Sequence, residues 1–236
     1  MTVKIAVTGA TGRMGRLVQD IINNDERFAL HAALDSHSPL TDLDGADVVV
    51  DFTHYEPSAR IVRHALAAGI DVLVGTSGWN AERIAEVAPL ADRSALVIIP
   101  NFSVGSALGT KLAELAAPLF DSVEVVEAHP ARKKDSPSGT AVRTAELIAA
   151  AHGPYDQPNT DQTARGQVVE GIPVHALRLQ GLDAWQSVIF GGTAETLTIR
   201  HDTISIDAYR DGIVRSVLFA REHTGLTVGL ADVIGL

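Results

Sequence analysis

The sequence predicts an α/β fold: a doubly wound parallel sheet of Rossmann type, followed by a differently organised region of helices and consecutive strands. Three observations predict it. Up to Pro100, short continuous apolar runs alternate with amphipathic helical patterns, the signature of strands covered by helices on both faces. The first of those runs leads straight into a glycine-rich turn and then a helix. Beyond Gln167, strand-like segments succeed one another across short Gly-containing turns, which predicts antiparallel pairing.

The opening run Lys4-Ile5-Ala6-Val7 reaches Thr8-Gly9-Ala10-Thr11-Gly12-Arg13-Met14-Gly15, and a helical pattern follows at Leu17, Val18, Ile21 and Ile22. Gly9 allows a tight turn, Gly12 lets backbone approach a pyrophosphate, and Gly15 lets helix and strand pack closely. The spacing is G-x-x-G-x-x-G, so the order of elements around the motif carries as much weight as the motif. A second run, Ala29 to Leu34, ends in Asp35, about twenty residues after Gly15, where an acid accepts hydrogen bonds from adenosine ribose hydroxyls. Val48-Val49-Val50-Asp51-Phe52-Thr53 reads as the next strand. Pro57 opens a helix running to Ala68, and Gly69 ends it, because glycine adopts the left-handed conformation without strain. Val72-Leu73-Val74 leads to the turn Gly75-Thr76-Ser77-Gly78 and a helix from about Asn80. Leu96 to Ile99 closes the series at Pro100-Asn101-Phe102.

A helix is expected from about Val104 to Leu119, then a strand from Val123 to Glu127 that delivers a loop at His129. Residues 153–167 read as a polar, Pro-containing loop. Strand-like segments follow at about 172–180, 184–191 and 195–202. A final apolar helix (Ile213, Val214, Val217, Leu218, Ala220) and a Leu/Val-rich tail finish the chain.

The richest chemistry lies between His129 and Thr140. His129 is a titratable proton donor, and Arg132, Lys133 and Lys134 bring positive charge to a chain of net charge −10. Pro137-Ser138-Gly139-Thr140 runs into an Ala-rich helical pattern, so the free N–H groups of Ser138, Gly139 and Thr140 are expected to face a bound anion. Alone, the basic run also reads as a solvated surface. The neighbouring histidine and helix start point instead to an anionic small molecule.

Composition excludes several classes. The acidic balance argues against non-specific nucleic-acid binding, which needs a broad basic face. No apolar stretch approaches membrane-spanning length. With no cysteine, thiolate catalysis, disulfides and Cys-ligated metals are excluded, and no His/Asp/Glu set has metal-ligand spacing. The first strand begins at Val3 with no leader pattern before it, so a cytoplasmic protein is expected.

At this point the chain resembles the 4-hydroxy-tetrahydrodipicolinate reductase (dihydrodipicolinate reductase) family over essentially its whole length. The resemblance rests on Gly9-x-x-Gly12-Arg13-Met14-Gly15, Asp51-Phe52-Thr53, Gly75-Thr76-Ser77-Gly78 and Pro100-Asn101-Phe102-Ser103. Above all it rests on Glu127-Ala128-His129 with Lys133-x-Asp135-x-Pro137-Ser138-Gly139-Thr140. It implies NAD(P)H-dependent reduction of a small cyclic dicarboxylate in diaminopimelate and lysine biosynthesis, by a homotetramer. It implies a dinucleotide-binding Rossmann domain from residues 1–102 and 211–236, and an inserted α+β substrate and oligomerisation domain with a mixed sheet from 103–210. His129 matches the general acid and Lys133 the cation that contacts substrate and assists protonation. Ser138, Gly139 and Thr140 match a substrate-carboxylate loop. Cofactor contacts are implied at Gly9, Thr11, Gly12, Arg13, Met14, Gly15, Asp35, Phe52, Thr53, Gly75, Thr76, Asn101 and Phe102. Two positions depart from the pattern: Pro130 stands where the family shows a second histidine, and Trp185 where it shows another.

Other readings compete. A short-chain dehydrogenase needs Tyr with Lys four residues on, but Tyr55, Tyr155 and Tyr209 are followed there by Ala59, Asn159 and Ile213. A semialdehyde dehydrogenase needs a cysteine. A reductase of another cyclic imine or enamine dicarboxylate stays open, as does a non-enzymatic dinucleotide-binding protein, though the latter has no use for His129 and Lys133. Asp35 favours NADH, because a carboxylate repels a 2′-phosphate, while Arg13 in the glycine loop could reach that phosphate, so use of NADH, NADPH or both is expected.

Overall fold

The computed structural model describes residues 2–155, 158–159 and 161–236. Residues 1–104 with 206–236 form one compact unit, and residues 105–205 form another.

The first unit is built from β1 (Val3–Thr8), α1 (Arg13–Asn24), β2 (Phe28–Leu34), β3 (Val48–Asp51), α2 (Tyr55–Ala67), β4 (Asp71–Val74), α3 (Ala81–Val87) and β5 (Ala95–Ile98). The strands are short and apolar, and β3, β4 and β5 are buried along their whole length. Helices cover them with apolar stripes: Leu17, Val18, Ile21 and Ile22 on α1, and Ile61, Val62, Ala65 and Leu66 on α2. Each such side chain contributes roughly 1.5–3 kcal/mol by leaving water. Pro57 sits in the first turn of α2 rather than opening it, at a position where no helical N–H bond is lost.

The second unit contains α4 (Val104–Ala116), β6 (Ser122–Pro130), α5 (Gly139–His152), β7 (Gln167–Val169), β8 (Ile172–Leu179), β9 (Ala184–Gly192) and β10 (Glu195–Thr203). The chain then returns to the first unit with α6 (Arg210–Glu222), β11 (Gly225–Val228) and α7 (Leu230–Val233). The first sheet has order β11-β5-β4-β3-β1-β2 and every pairing is parallel. Its strand order reverses direction between β1 and β3, the crevice where doubly wound folds bind ligands.

Four features differ from the expectation. The Leu/Val-rich tail is a sixth parallel strand, β11, beside β5; its four residues are too short to show a periodicity. α4 stops at Ala116 and tightens into a 3₁₀ turn, because Pro118 cannot donate the helical hydrogen bond. β7 was not foreseen; it pairs with β8 through Glu170 and Gly171, both at positive φ, as two-residue hairpin turns require. Finally, β8 and β9 are not neighbours. β6 lies between them, parallel to β8 and antiparallel to β9, giving a mixed sheet of order β10-β9-β6-β8-β7. Residues 180–183 must cross two strand spacings, roughly 10 Å, which an extended segment of that length covers with ease. Part of the polar loop 153–167 lies outside the described residues; within it, Thr163–Arg165 form a 3₁₀ turn.

One face of this mixed sheet packs Val123, Val125, Val174, Val188 and Phe190 with Ala141, Ala145 and Ile148 of α5. The same face carries Glu127 and His129, two residues apart on β6, and Arg178, which stands opposite His129 on β8.

Candidate active site

In the first unit, the glycine turn has the geometry its residues imply. Gly9 has φ +70°, and a Cβ on it would lie 2.4 Å from the Phe52 carbonyl oxygen. A Cβ on Gly15 would lie 2.3 Å from the Gly9 carbonyl oxygen, so α1 reaches its position on the turn only with glycine there. The Gly12 N–H closes the turn onto Gly9 at 3.0 Å. Gly12 is also the N-cap of α1, with no side chain capping it. The first turn of α1 (Arg13, Met14, Gly15) therefore presents backbone N–H groups and the positive end of the helix dipole, an arrangement suited to a pyrophosphate. Thr11 and Arg13 are exposed beside it, and Met14 is half-buried.

Asp35 follows β2 and is exposed. Its Oδ1 accepts hydrogen bonds from the His37 N–H (2.9 Å), the Ser38 N–H (3.2 Å) and the Ser38 hydroxyl (3.0 Å). The His37 amide, with Ser38, holds the carboxyl below its ordinary range. One carboxylate oxygen is thus occupied by the loop, and Oδ2 is the oxygen available to a ribose.

Of the remaining expected cofactor residues, Thr53, Gly75 and Thr76 hydrogen-bond to Asp51, a residue that sequence reasoning gave no role. Asp51 is fully buried at the end of β3. Its Oδ1 accepts from the hydroxyls of Thr8 and Thr53, each at 2.7 Å, and its Oδ2 accepts from the Thr76 hydroxyl at 2.7 Å. The hydroxyls of Thr53 and Thr76 are therefore turned inward, leaving their backbone and methyl groups as possible ligand contacts. A Cβ on Gly75 would lie 2.1 Å from the Phe52 ring, so a side chain there would displace that ring. Phe52 packs on Phe102 with centroids 5.5 Å apart, and Phe102 is buried, so its side chain serves the core. The Asn101 carboxamide oxygen accepts the Ser103 N–H and shapes the end of β5.

In the second unit, Glu127 organises the site. It is completely buried. Its Oε2 meets His129 Nδ1 at 2.5 Å and Arg178 Nη1 at 3.0 Å; its Oε1 meets Arg178 Nη2 at 2.8 Å and the Ser138 N–H at 3.1 Å. Burial pushes this carboxyl up, but hydrogen bonds from His129 and Arg178 outweigh it and hold the group below the usual glutamate range. An ionised carboxylate only accepts, so Nδ1 of His129 carries a proton and Nε2 is the nitrogen free for exchange chemistry. The His129 side chain is 20% exposed, enough to meet a ligand.

The expected anion cradle needs one correction. The Ser138 N–H is not free: it is committed to Glu127, and the Ser138 hydroxyl caps α5 by accepting the Ala141 N–H at 3.3 Å. Gly139 and Thr140 follow as the first helical residues, where N–H groups have no intrahelical partner. A Cβ on Gly139 would meet nothing within 4 Å. Lys133 pairs with Asp135 at 2.7 Å, and this ammonium holds the Asp135 carboxyl below its ordinary range. Arg132 and Lys134 are exposed. Trp185 sits opposite Ala128 on β9 and shares the sheet face of Ala128 and Leu177, not that of His129; Arg200 stacks over it at 4.2 Å. Pro130, two residues beyond Ala128, falls on that same opposite face.

Glu127 and Arg178 are the residues that sequence reasoning missed in a site role. The signal for Glu127 was its two-residue spacing from His129, which puts both on one strand face. For Arg178 no local signal exists, since it depends on the β6–β8 register.

Comparison with known proteins points to one family. Residues 3–102 match the family model for the dihydrodipicolinate reductase N-terminus, and residues 105–234 match that for its C-terminus. A 4-hydroxy-tetrahydrodipicolinate reductase of Clavibacter sepedonicus is 51% identical, over 100% of this chain and 87% of that one. One of Mycobacterium ulcerans is 41% identical over 99% of each chain. The solved dihydrodipicolinate reductase of Paenisporosarcina sp. TG-14 with dipicolinate bound superposes with a TM-score of 0.87 at 30% identity, covering 98% of this chain and 99% of that one. A parallel sheet with a glycine-turn crevice, a mixed sheet carrying a buried Glu–His–Arg cluster, and relatives matched from end to end lead to one assignment: the chain belongs to the dihydrodipicolinate reductase family.

Proposed function

We propose that this oxidoreductase reduces 4-hydroxy-tetrahydrodipicolinate with NADH or NADPH, the first unit binding the dinucleotide and the second the dicarboxylate. The observation that carries the reading is His129, held through Nδ1 by a buried carboxylate that also fastens the start of α5. The glycine turn fits a pyrophosphate, since side chains at Gly9 and Gly15 would collide with backbone there. Gly9, Thr11, Gly12, Arg13, Met14 and Gly15 would hold the pyrophosphate region, Asp35 the adenosine ribose, and Phe52, Thr53, Gly75, Thr76, Asn101 and Phe102 the nicotinamide end, Phe102 through backbone. When bound, the dinucleotide supplies a hydride.

The protein's own groups do the rest. The N–H groups of Gly139 and Thr140, at a helix N-terminus, receive one substrate carboxylate. Lys133 adds its ammonium by leaving Asp135; an exposed pair of that kind is worth only about 0–1 kcal/mol, so the exchange costs little. The 4-hydroxyl leaves the ring as water; hydride arrival then leaves one carbanion or enamine carbon, to which His129 Nε2 delivers its proton while the imidazole keeps its Nδ1 proton on Glu127. No described helix is long and apolar enough to cross a membrane; a cytoplasmic location is part of the proposal because the dinucleotide and the biosynthetic substrate are found there. The sheet face opposite α5 exposes Leu177, Leu179 and Ile189; copies joined by that face would form the homotetramer, which light scattering can test.

The direct test mixes the protein with freshly generated 4-hydroxy-tetrahydrodipicolinate and either cofactor, following loss of the reduced-nicotinamide absorbance. Turnover is expected with both. No change with either cofactor overturns the reading.

A further inference from the structure

We propose that Glu127 is a positioning residue that locks the proton donor and the anion cradle into one rigid unit, and that it selects the tautomer of His129. The inference rests on the function proposed above and deepens it. A carboxylate offers about four good acceptor positions, and in Glu127 all are filled by donors from three separate segments: His129 on β6, Arg178 on β8 and the Ser138 N–H ahead of α5. Two of those donors belong to the chemistry. His129 is the acid, and Ser138 immediately precedes the two N–H groups that receive the anion.

A purely structural ion pair would not need this arrangement. The Arg178 fork alone would neutralise Glu127, and Arg178 is itself anchored elsewhere, donating to the Asp135 carbonyl at 2.7 Å. That second bond ties in the loop bearing Lys133, whose ammonium lies on the Asp135 carboxylate at 2.7 Å. The expected contacts to substrate in this unit, His129, Lys133, Gly139 and Thr140, therefore trace back to the Glu127–Arg178 pair within one or two bonds or residues. The Glu127 carboxylate is fully satisfied, although the buried Arg178 Nε has no partner; displacing that carboxylate strands a buried charge and its donors, so the cluster is stiff. For His129 the consequence is chemical. Binding an acceptor at Nδ1 leaves the transferable proton on Nε2, and the neutral imidazole that remains is already in its favoured tautomer.

The test compares the wild type with Glu127→Gln and Glu127→Asp. The amide keeps the size of Glu127 but can offer His129 a donor in place of an acceptor; the shorter acid keeps the charge but cannot reach both His129 and Ser138. Three readouts are needed: kcat with KM for NADH, nitrogen NMR of the His129 ring, and dipicolinate affinity by calorimetry. E127Q is expected to lower kcat by roughly 10²–10⁴-fold, the scale on which loss of tautomer control acts, with KM for NADH within about twofold. Its ring signals should lose the single Nδ1-protonated neutral form, and dipicolinate should bind at least about tenfold more weakly, one charge-assisted hydrogen bond's worth. E127D should lie between. If E127Q does not fold, E127D carries the same three readouts.

Wild-type kcat per folded molecule, an unchanged ring spectrum and unchanged dipicolinate affinity in the variants, even with a lower Tm, would overturn the proposal and leave Glu127 a stabiliser only. A wild type that never oxidises NADH would instead remove the reductase reading. The ring spectrum and dipicolinate titration would still decide the role of Glu127.

Discussion

Two helix N-termini in this molecule are built by opposite means. At α1 the helix begins on Gly12 with no side-chain cap, so the N–H groups of its first turn are open, and the Arg13 side chain is exposed beside them. At α5 the Ser138 hydroxyl caps the helix and a buried carboxylate–guanidinium pair pins its entry. The first design needs only local chain geometry, because a phosphate takes any set of converging N–H groups. In the proposed reaction the second must also deliver a proton along one direction, so an acid has to be held at a set distance from the cradle, and that demands contacts across a sheet.

The difference can be tested from the largest expected effect downward. His129→Gln should lower kcat by roughly 10²–10⁴-fold with NADH affinity unchanged; a variant keeping most of its kcat would place the donor elsewhere, with Lys133 next. At the other N-terminus, Gly15→Val forces a side chain onto the Gly9 carbonyl and Ala10 Cα, 2.3 and 2.7 Å from its Cβ. Overpacking of that kind costs about 1–3 kcal/mol, and calorimetry should show NADH binding lost while dipicolinate still binds. Retained NADH affinity would mean that α1 does not hold the dinucleotide.

Gly139→Val makes the converse case. Its Cβ meets open space, so Tm should hold while dipicolinate affinity drops by roughly tenfold, the loss of about one hydrogen bond to a charged group. Equal inhibition of variant and wild type would move the anion away from α5.

Acid stability separates the two regions again. Glu127 is held below its ordinary value of 4.5 by His129 and Arg178, so its contribution is present in full above that value and is lost as pH falls through the lower folded-state value. Urea midpoints between pH 5 and pH 3 should therefore fall less steeply in Glu127→Gln than in the wild type; parallel slopes would contradict this. Asp35 is also held low but is exposed, so Asp35→Ala should flatten that slope in the same direction but less. Its effect belongs in the cofactor ratio, shifting kcat/KM several-fold from NADH toward NADPH, less than the full like-charge repulsion because solvent screens the site. A wild type that prefers NADPH tenfold would show that Arg13 outweighs Asp35.

These contrasts explain which parts could be read in advance. The parallel sheet was legible because continuous apolar runs between amphipathic helices have few other uses. The glycine turn was legible because its reasons lie within a few residues: Gly9 needs its positive φ, and Gly15 needs space beside Gly9. Family membership was legible from the motif between Glu127 and Thr140. The inward turn of the Thr53 and Thr76 hydroxyls was not, since it depends on Asp51 standing between the ends of β1, β3 and β4. The placement of β6 between β8 and β9 was not either, because short connections favour antiparallel neighbours and only the sheet shows the exception.

By itself the sequence determined the α/β class, a helix after the Gly9–Gly15 turn and another starting near Ser138, and the presence of a histidine, cations and a helix start close together in the chain. Tertiary structure alone decided which groups those residues meet. The β6–β8 register sets Arg178 opposite His129, the β6–β9 register sends Trp185 to the other side of the sheet, and the path of the chain into α5 commits the Ser138 N–H to Glu127. The physical reason is range: turns, caps and helical stripes arise from neighbours along the chain, whereas a buried carboxylate takes its partners from whichever strands pack beside it.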